Sequence, residues 1–252
     1  MLERAFARAQ QLIGNSGTMR QHAIAQARKI LQDAGVVDPI EGDLPQTVSA
    51  EVTSRVDLRK ETYGLLKHVR NPTTDEKEAL EEEGIIFFPV GSKKSYDQVV
   101  NEDKEHSHFS KDEQIYASLI PELKKYVLPV AVEVGLKPSQ LALPGSFGKS
   151  RKIQLEMIDE YSKKLQVRFP DIRAIMLPAT AYAQADMAYK AKNGKLLFRK
   201  YFARALDNLS EGEAAHAGRD GIFFPFNIGG WNADLGEDHV GAVPAVVFVR
   251  NK

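Results

Sequence analysis

The sequence predicts an α/β protein of the α+β kind, with an N-terminal helical region and linker over residues 1–80 and a mixed domain over 85–252. Three observations predict it. Apolar residues recur at helical spacing in several segments, continuous apolar runs rich in β-branched and aromatic residues stand at 85–90 and 242–249, and glycine and proline punctuate the joins. With 252 residues and no cysteine, the chain is long enough to bury a core without covalent staples. Disulfides, thiolate catalysis and cysteine metal sites are thereby excluded. Thirty-four basic residues balance thirty-four acidic ones, so no net field draws nucleic acid or an anionic membrane to the protein. No apolar run approaches the roughly 20 residues that a membrane span requires. The first residues, MLERAFARAQQLIG, carry charge throughout and do not read as a secretory signal, which makes a cytoplasmic location the default expectation.

Taken in order, residues 2–13 and 18–34 read as two helices joined at Asn15-Ser16-Gly17, with Gly35 at the second C-terminus. Two short helices with alanine-rich stripes bury little alone, so this hairpin is expected to mediate homo-oligomerisation. Residues 36–58, broken by Pro39, Gly42 and Pro45, read as a linker, and 59–69 as a short helix. Asn71-Pro72-Thr73 offers an N-cap and an early proline for a helix running to Gly84. Ile85–Val90 has the character of a buried strand, which SYDQVV (95–100) continues or pairs with. The polar run 101–113 reads as an exposed loop, 113–126 as a helix and 126–136 as a strand beginning at an edge near Pro129. Lys149–Phe169 is the best helix, with Ile153, Met157, Tyr161 and Leu165 on one stripe. A strand over 171–180, a helix over 181–192 and a turn at Asn193-Gly194 follow, and 195–207 is compatible with either strand or helix.

Five constellations suggest chemistry. Gly145 to Lys152, within PGSFGKSRK, resembles a phosphate loop at a helix N-terminus, although only two residues separate Gly145 from Gly148. It supports the alternative of a nucleotide- or phosphate-binding enzyme. Ser146 or Ser150 capping the helix is the plainer reading. Glu133 with Lys137 has the wrong spacing for a metal-dependent nuclease and fits a glutamate on the solvent face of an edge strand. His106 and His108 stand among acidic residues, but a solvated loop accounts for them better than a metal site. His216 and His239 have no serine at a defensible spacing, so no catalytic residue, metal or cofactor is assigned.

The fifth constellation is Phe223, Phe224, Phe226, Asn227, Trp231, Asn232, Asp234, Glu237, Asp238 and His239, crowded among glycines. Aromatics supply contact area at low entropic cost and amides and carboxylates adapt by hydrogen bonding, which is the composition of a binding surface. The competing reading places some of the phenylalanines in a core strand. Gly229-Gly230-Trp231-Asn232 before a closing strand 241–249 resembles the C-type-lectin-like fold, in particular the variable proteins diversified by retroelements. The resemblance covers at most the C-terminal 125–165 residues. It implies that the closing strand pairs with the domain's first strand, Ile85–Val90 or Val127–Val134, and that ligand is bound by Phe223 to His239. The Trp-Asn-Asp calcium motif is broken by Ala233, so calcium-dependent sugar binding is not implied. A recognition protein for a protein or cell-surface ligand is therefore expected over an enzyme.

Overall fold

The computed structural model describes residues 64–250, apart from 92, 106, 122, 124–126, 128–130 and 211. The helices at 2–13 and 18–34, their role in oligomerisation, the linker 36–58, the start of the 59–69 helix and His106 lie outside the described residues. In chain order the elements are β1 (Val69–Arg70), α1 (Thr74–Glu81), β2 (Ile86–Val90), α2 (Tyr96–Glu102), α3 (Lys111–Leu119), β3 (Val132–Leu136), a 3-10 turn (Pro138–Gln140), α4 (Arg151–Gln166), β4 (Ile172–Ile175), α5 (Ala179–Asn193), β5 (Phe202–Ser210), β6 (Glu213–Gly218), β7 (Asn227–Asn232), β8 (Val240–Gly241) and β9 (Ala245–Val249). This mixture of helices with antiparallel pairing is an α+β architecture.

The closing run becomes the central strand of the larger sheet. On one side β9 pairs antiparallel with β4, from Ile172↔Phe248 to Ile175↔Ala245. On the other it pairs antiparallel with β1 at Val69↔Val249 and with β3 at Gly135↔Val246. β3 in turn pairs antiparallel with β2 along its whole length. Both faces of β9 are buried, which is why its sequence is apolar without alternation. Val246 and Phe248 pack with Leu80, Ile85, Phe87 and Leu165, beneath α1 and α4. Ala245 and Val247 join the main core with Ala181, Tyr182 and Ala185 of α5. The Tyr182 hydroxyl donates to the Val243 carbonyl at 2.6 Å and ties α5 to the approach to β9. Burying one side chain such as Phe248 is worth about 1.5–3 kcal/mol. The second sheet is a β5–β6–β7 antiparallel meander, with β8 parallel to β5 at Phe202↔Val240.

Several local expectations change. Thr73, not Asn71, caps α1: its side chain accepts from the Glu76 N–H, and Glu76 accepts from the Thr73 N–H in return. The Asn71 side chain instead accepts from the Glu133 N–H, and α1 ends at Glu81. Residues 64–66 are helical, after which the chain turns into β1. SYDQVV is a helix because Ser95 and Gln98 form a capping box at its start. Glu133 is not on an edge strand, since β3 lies between β2 and β9, and it pairs with Lys77 at 2.8 Å. Residues 202–210 resolve to strand, and the loop 101–113 is partly buried. Among the described residues no helix is long and apolar enough to cross a membrane.

Candidate functional site

The β6–β7 connection leaves the core and returns to it within eight residues. Gly218 and Gly221 both have positive φ, 157° and 114°, and at Gly218 a Cβ would stand 2.6 Å from the Tyr201 carbonyl oxygen, so this sharp exit requires glycine. A turn closed by Phe224 N–H to the Gly221 carbonyl then presents Ile222, Phe223 and Phe224, which are 55%, 92% and 57% exposed. Phe226 re-enters the core, stacked at 5.6 Å on His108 and edge-on to Phe109 and Phe198. Beside this loop lies a cleft of about 460 Å³. The α2–α3 connection contributes Ser107, His108, Phe109 and Ser110, the end of α5 contributes Lys190, Gly194 and Leu196, and the loop itself adds Arg219 and Ile222 to Pro225.

A buried polar cluster holds the loop from beneath. Arg219, 2% exposed, donates from Nη1 to the carbonyls of His108 and Phe224 and from Nη2 to Asp186 Oδ2 at 2.8 Å. Asp186, fully buried on the alanine-rich face of α5, also accepts the N–H groups of Leu197 and Phe198. Burial pushes its carboxyl above the usual range, against the opposing pull of Arg219 and those two N–H groups. His108 Nε2 stands 3.2 Å from the same Asp186 oxygen. Burial, then the charges of Arg219 and Lys190, lower the His108 pKa to about 3, so the ring is neutral at physiological pH. Asp103 completes the base by accepting from Ser107 Oγ and from the N–H groups of Ser107, His108 and Phe109. The polar run 101–113 therefore folds around a carboxylate instead of dissolving into water.

The ten residues expected to form one surface are placed at two ends of β7. Phe223 and Phe224 are displayed at the cleft, Phe226 is core, and Asn227 starts the strand opposite Gly218. Trp231 and Asn232 end it, opposite Ala214 and Glu213. Five steps of about 3.3 Å put roughly 17 Å between the two ends. At the far end Asn232 Oδ1 accepts the Asp234 N–H and the Glu237 carbonyl accepts the Gly148 and Val240 N–H groups. The His239 carbonyl accepts from Phe202 N–H, while the side chains of Asp234, Asp238 and His239 are exposed. This segment packs on the glycine-rich turn before α4. Gly236 lies so close to the Gly148 carbonyl that a Cβ would fall 2.0 Å from its oxygen. At the start of α4 the Arg151 N–H donates to the Ala233 carbonyl, and Ser150 Oγ caps Ile153 N–H.

Two further buried groups escaped sequence reasoning. Arg204 on β5 is fully buried, with its Nε 3.3 Å from Gln154 Oε1 and its Nη2 3.5 Å from the Leu235 carbonyl; burial and the nearby Arg151 lower its pKa to about 10. Glu113 on α3 accepts the Ile228 N–H beside the Tyr96 hydroxyl, and burial pushes its carboxyl up to about 8. Neither has a linear signal. Asp186 had a faint one, an acid in the middle of an otherwise small and apolar helix.

Chemically, the cleft offers apolar walls, two cations and two serine hydroxyls. Ser107 Oγ is bound to Asp103, Ser110 Oγ accepts the Glu113 N–H as the cap of α3, and the His108 ring is taken up by Asp186 and Arg219. Among the described residues no group of three or more histidine, aspartate or glutamate side chains is arranged to hold a metal ion. No protein-family model, curated protein or solved structure matches this chain.

Proposed function

We propose that this chain is a recognition protein, built on a C-type-lectin-like scaffold, that binds a protein or cell-surface ligand. The observation that carries the reading is the display of Ile222, Phe223 and Phe224 on a loop whose base is fixed by Arg219. Exposed apolar side chains in one contiguous group mark interaction sites, and a contact loop ordered before binding avoids the entropy of ordering it on contact. Of the two strands that the scaffold reading pairs with the closing strand, Ile86–Val90 pairs with β3 and not with β9, and support comes from β9 meeting β3 at Gly135↔Val246 and from the display loop preceding the closing strand in sequence. In a diversified binder, sibling chains would vary over 223–239 and hold 242–249 constant.

The nucleotide-binding alternative is less favoured, because amides at the start of α4 are already used by Ser150 and by the 233–237 segment. To test the recognition reading, the protein is panned against a displayed random-peptide library. Enriched peptides are expected to bind at least about tenfold more weakly to Phe223→Ser/Phe224→Ser, whose thermal midpoint stays at the wild-type value because both rings are exposed. The parallel variant Trp231→Ala/Asn232→Ala/Asp234→Ala shows whether the far end of β7 contributes. Failure to enrich any peptide, or binders indifferent to both variants, defeats the reading.

A further inference from the structure

The cleft beside the display loop has a one-sided charge. Its lining contains Lys190 and Arg219 and no acidic side chain. Arg219 is matched by Asp186 at 2.8 Å beneath the floor, and the His108 ring is neutral, so the uncompensated charge belongs to Lys190. The Lys190 ammonium donates one hydrogen bond, to the Ser107 carbonyl at 2.5 Å. An ammonium has three protons, so others remain for a ligand. Ser110 Oγ accepts the Glu113 N–H at 3.0 Å and keeps its own proton to donate. Lys195, exposed between the lining residues Gly194 and Leu196, adds a second positive charge nearby; Asp220 next to Arg219 is an exposed carboxylate adjoining the lining, and Glu105 and Asp112 are exposed two positions from Ser107 and Ser110. The same lining holds Ile222, Phe223, Phe224 and Pro225, with Phe109 and Leu196 as further apolar residues. A volume of about 460 Å³ falls at the small end of ligand sites and suits one side chain and its neighbour, not a folded domain.

We propose that this cleft takes an apolar side chain joined to a carboxylate, presented by a peptide segment of the partner, with the carboxylate on Lys190 and Ser110 and the apolar group against Ile222 to Phe224. This assignment rests on the recognition reading and specifies what is recognised. The loop supplies contact area, and Lys190 supplies the choice among apolar segments by rejecting neutral and cationic ones.

The minimal probes are phenylpropionate, its neutral amide and phenylpropylammonium, titrated into the full chain and followed by amide chemical shifts. Phenylpropionate is expected to shift residues 107–110, 190–196 and 219–226 and to bind about five- to tenfold more tightly than the amide, with the ammonium weakest. Added salt should narrow the difference, because the pair is part-exposed. Lys190→Met keeps the aliphatic stem and should abolish the preference for acid over amide. Lys190→Glu should invert it in favour of the ammonium. Equal binding of all three probes, shifts elsewhere on the chain, no binding, or a preference that survives Lys190→Met overturns the assignment. The two readings fail separately. Charge-blind binding that is lost in Phe223→Ser/Phe224→Ser leaves the apolar contact standing and removes only the acid, whereas acid-selective binding indifferent to those phenylalanines removes the loop.

Discussion

Glu113 gives the sharpest quantitative test of the buried electrostatics. Its carboxyl is held near 8 in the folded protein against an ordinary 4.5, with burial as the main cause. A folded-state pKa above the unfolded one means that the native protein keeps a proton which the unfolded chain releases. The stability so contributed is complete below about pH 4.5 and is lost as pH rises to about 8, at about 1.4 kcal/mol per pH unit and on the order of 4–5 kcal/mol in all. His108 and His216 act in the opposite sense. Burial lowers both to about 3, so stability falls as pH drops below the ordinary histidine value of 6.5. Two histidines outweigh one glutamate below that value and only the glutamate titrates above it, so wild-type stability should peak near pH 6.5. Asp186, also raised by burial, acts in the same sense as Glu113. Glu113→Gln keeps an acceptor for the Ile228 N–H and removes the proton. Urea unfolding followed through the single tryptophan, Trp231, from about pH 5 to about pH 9 should show the variant gaining about 2 kcal/mol on wild type between about pH 6.5 and about pH 8. Parallel pH profiles for the two proteins would refute the reasoning.

Two other perturbations test the packing around the site. Arg219→Met removes the donor to Asp186, His108 and Phe224 and leaves a buried carboxyl with one charged neighbour fewer, which should cost about 3–5 kcal/mol by denaturant melt. Adding Asp186→Asn should recover part of that loss, because the amide oxygen still accepts the Leu197 and Phe198 N–H groups; additive losses would show that the two residues are not one unit. Gly229→Ala would set its Cβ 2.3 Å from His216 Nε2, and the ring has Phe202 edge-on at 4.7 Å on another side. The expected loss is about 1–3 kcal/mol and should shrink in a His216→Ala background; an unchanged loss would place the strain elsewhere.

The elements that were legible are those whose cause is local. The run ending in Val249 declared a strand by its β-branched residues, the i, i+4 stripe declared α4, and Asn193-Gly194 marked the left-handed residue that ends α5. The helix at 96–102 was also legible, since Ser95 and Gln98 spell a capping box, but its tyrosine and valines outweighed that signal. The polar cluster was not legible, because Arg219 and Asp186 stand 33 positions apart and His108 is 111 from Arg219. A run such as NEDKEHSHFSKDE has the composition of a solvated loop, and what buries it is a set of pairings made only by the fold. The proposed contact surface was half legible. Glycines and aromatics mark the display loop, but the same composition continues through β7 to residues that the strand holds apart from it.

That separation bears on which end suits the proposed contact. At the far end of β7 the backbone groups of Ala233, Glu237 and His239 accept bonds from α4, its preceding turn and β5, and glycine meets glycine at Gly236 and Gly148; these are the marks of a joint that has to close. Asp234 and Asp238 sit on that joint with exposed side chains. At the near end the bonds run the other way. Arg219 spends its donors on the backbone beneath the loop, and Ile222, Phe223 and Phe224 point away from the core that Phe226 enters. Leaving three large apolar groups in water forgoes about 1.5–3 kcal/mol for each one that burial would have gained. A fold that spends a buried ion pair to hold them out gains nothing in its own stability from doing so, since such a pair roughly breaks even against apolar packing. The arrangement is accounted for when another molecule covers the loop.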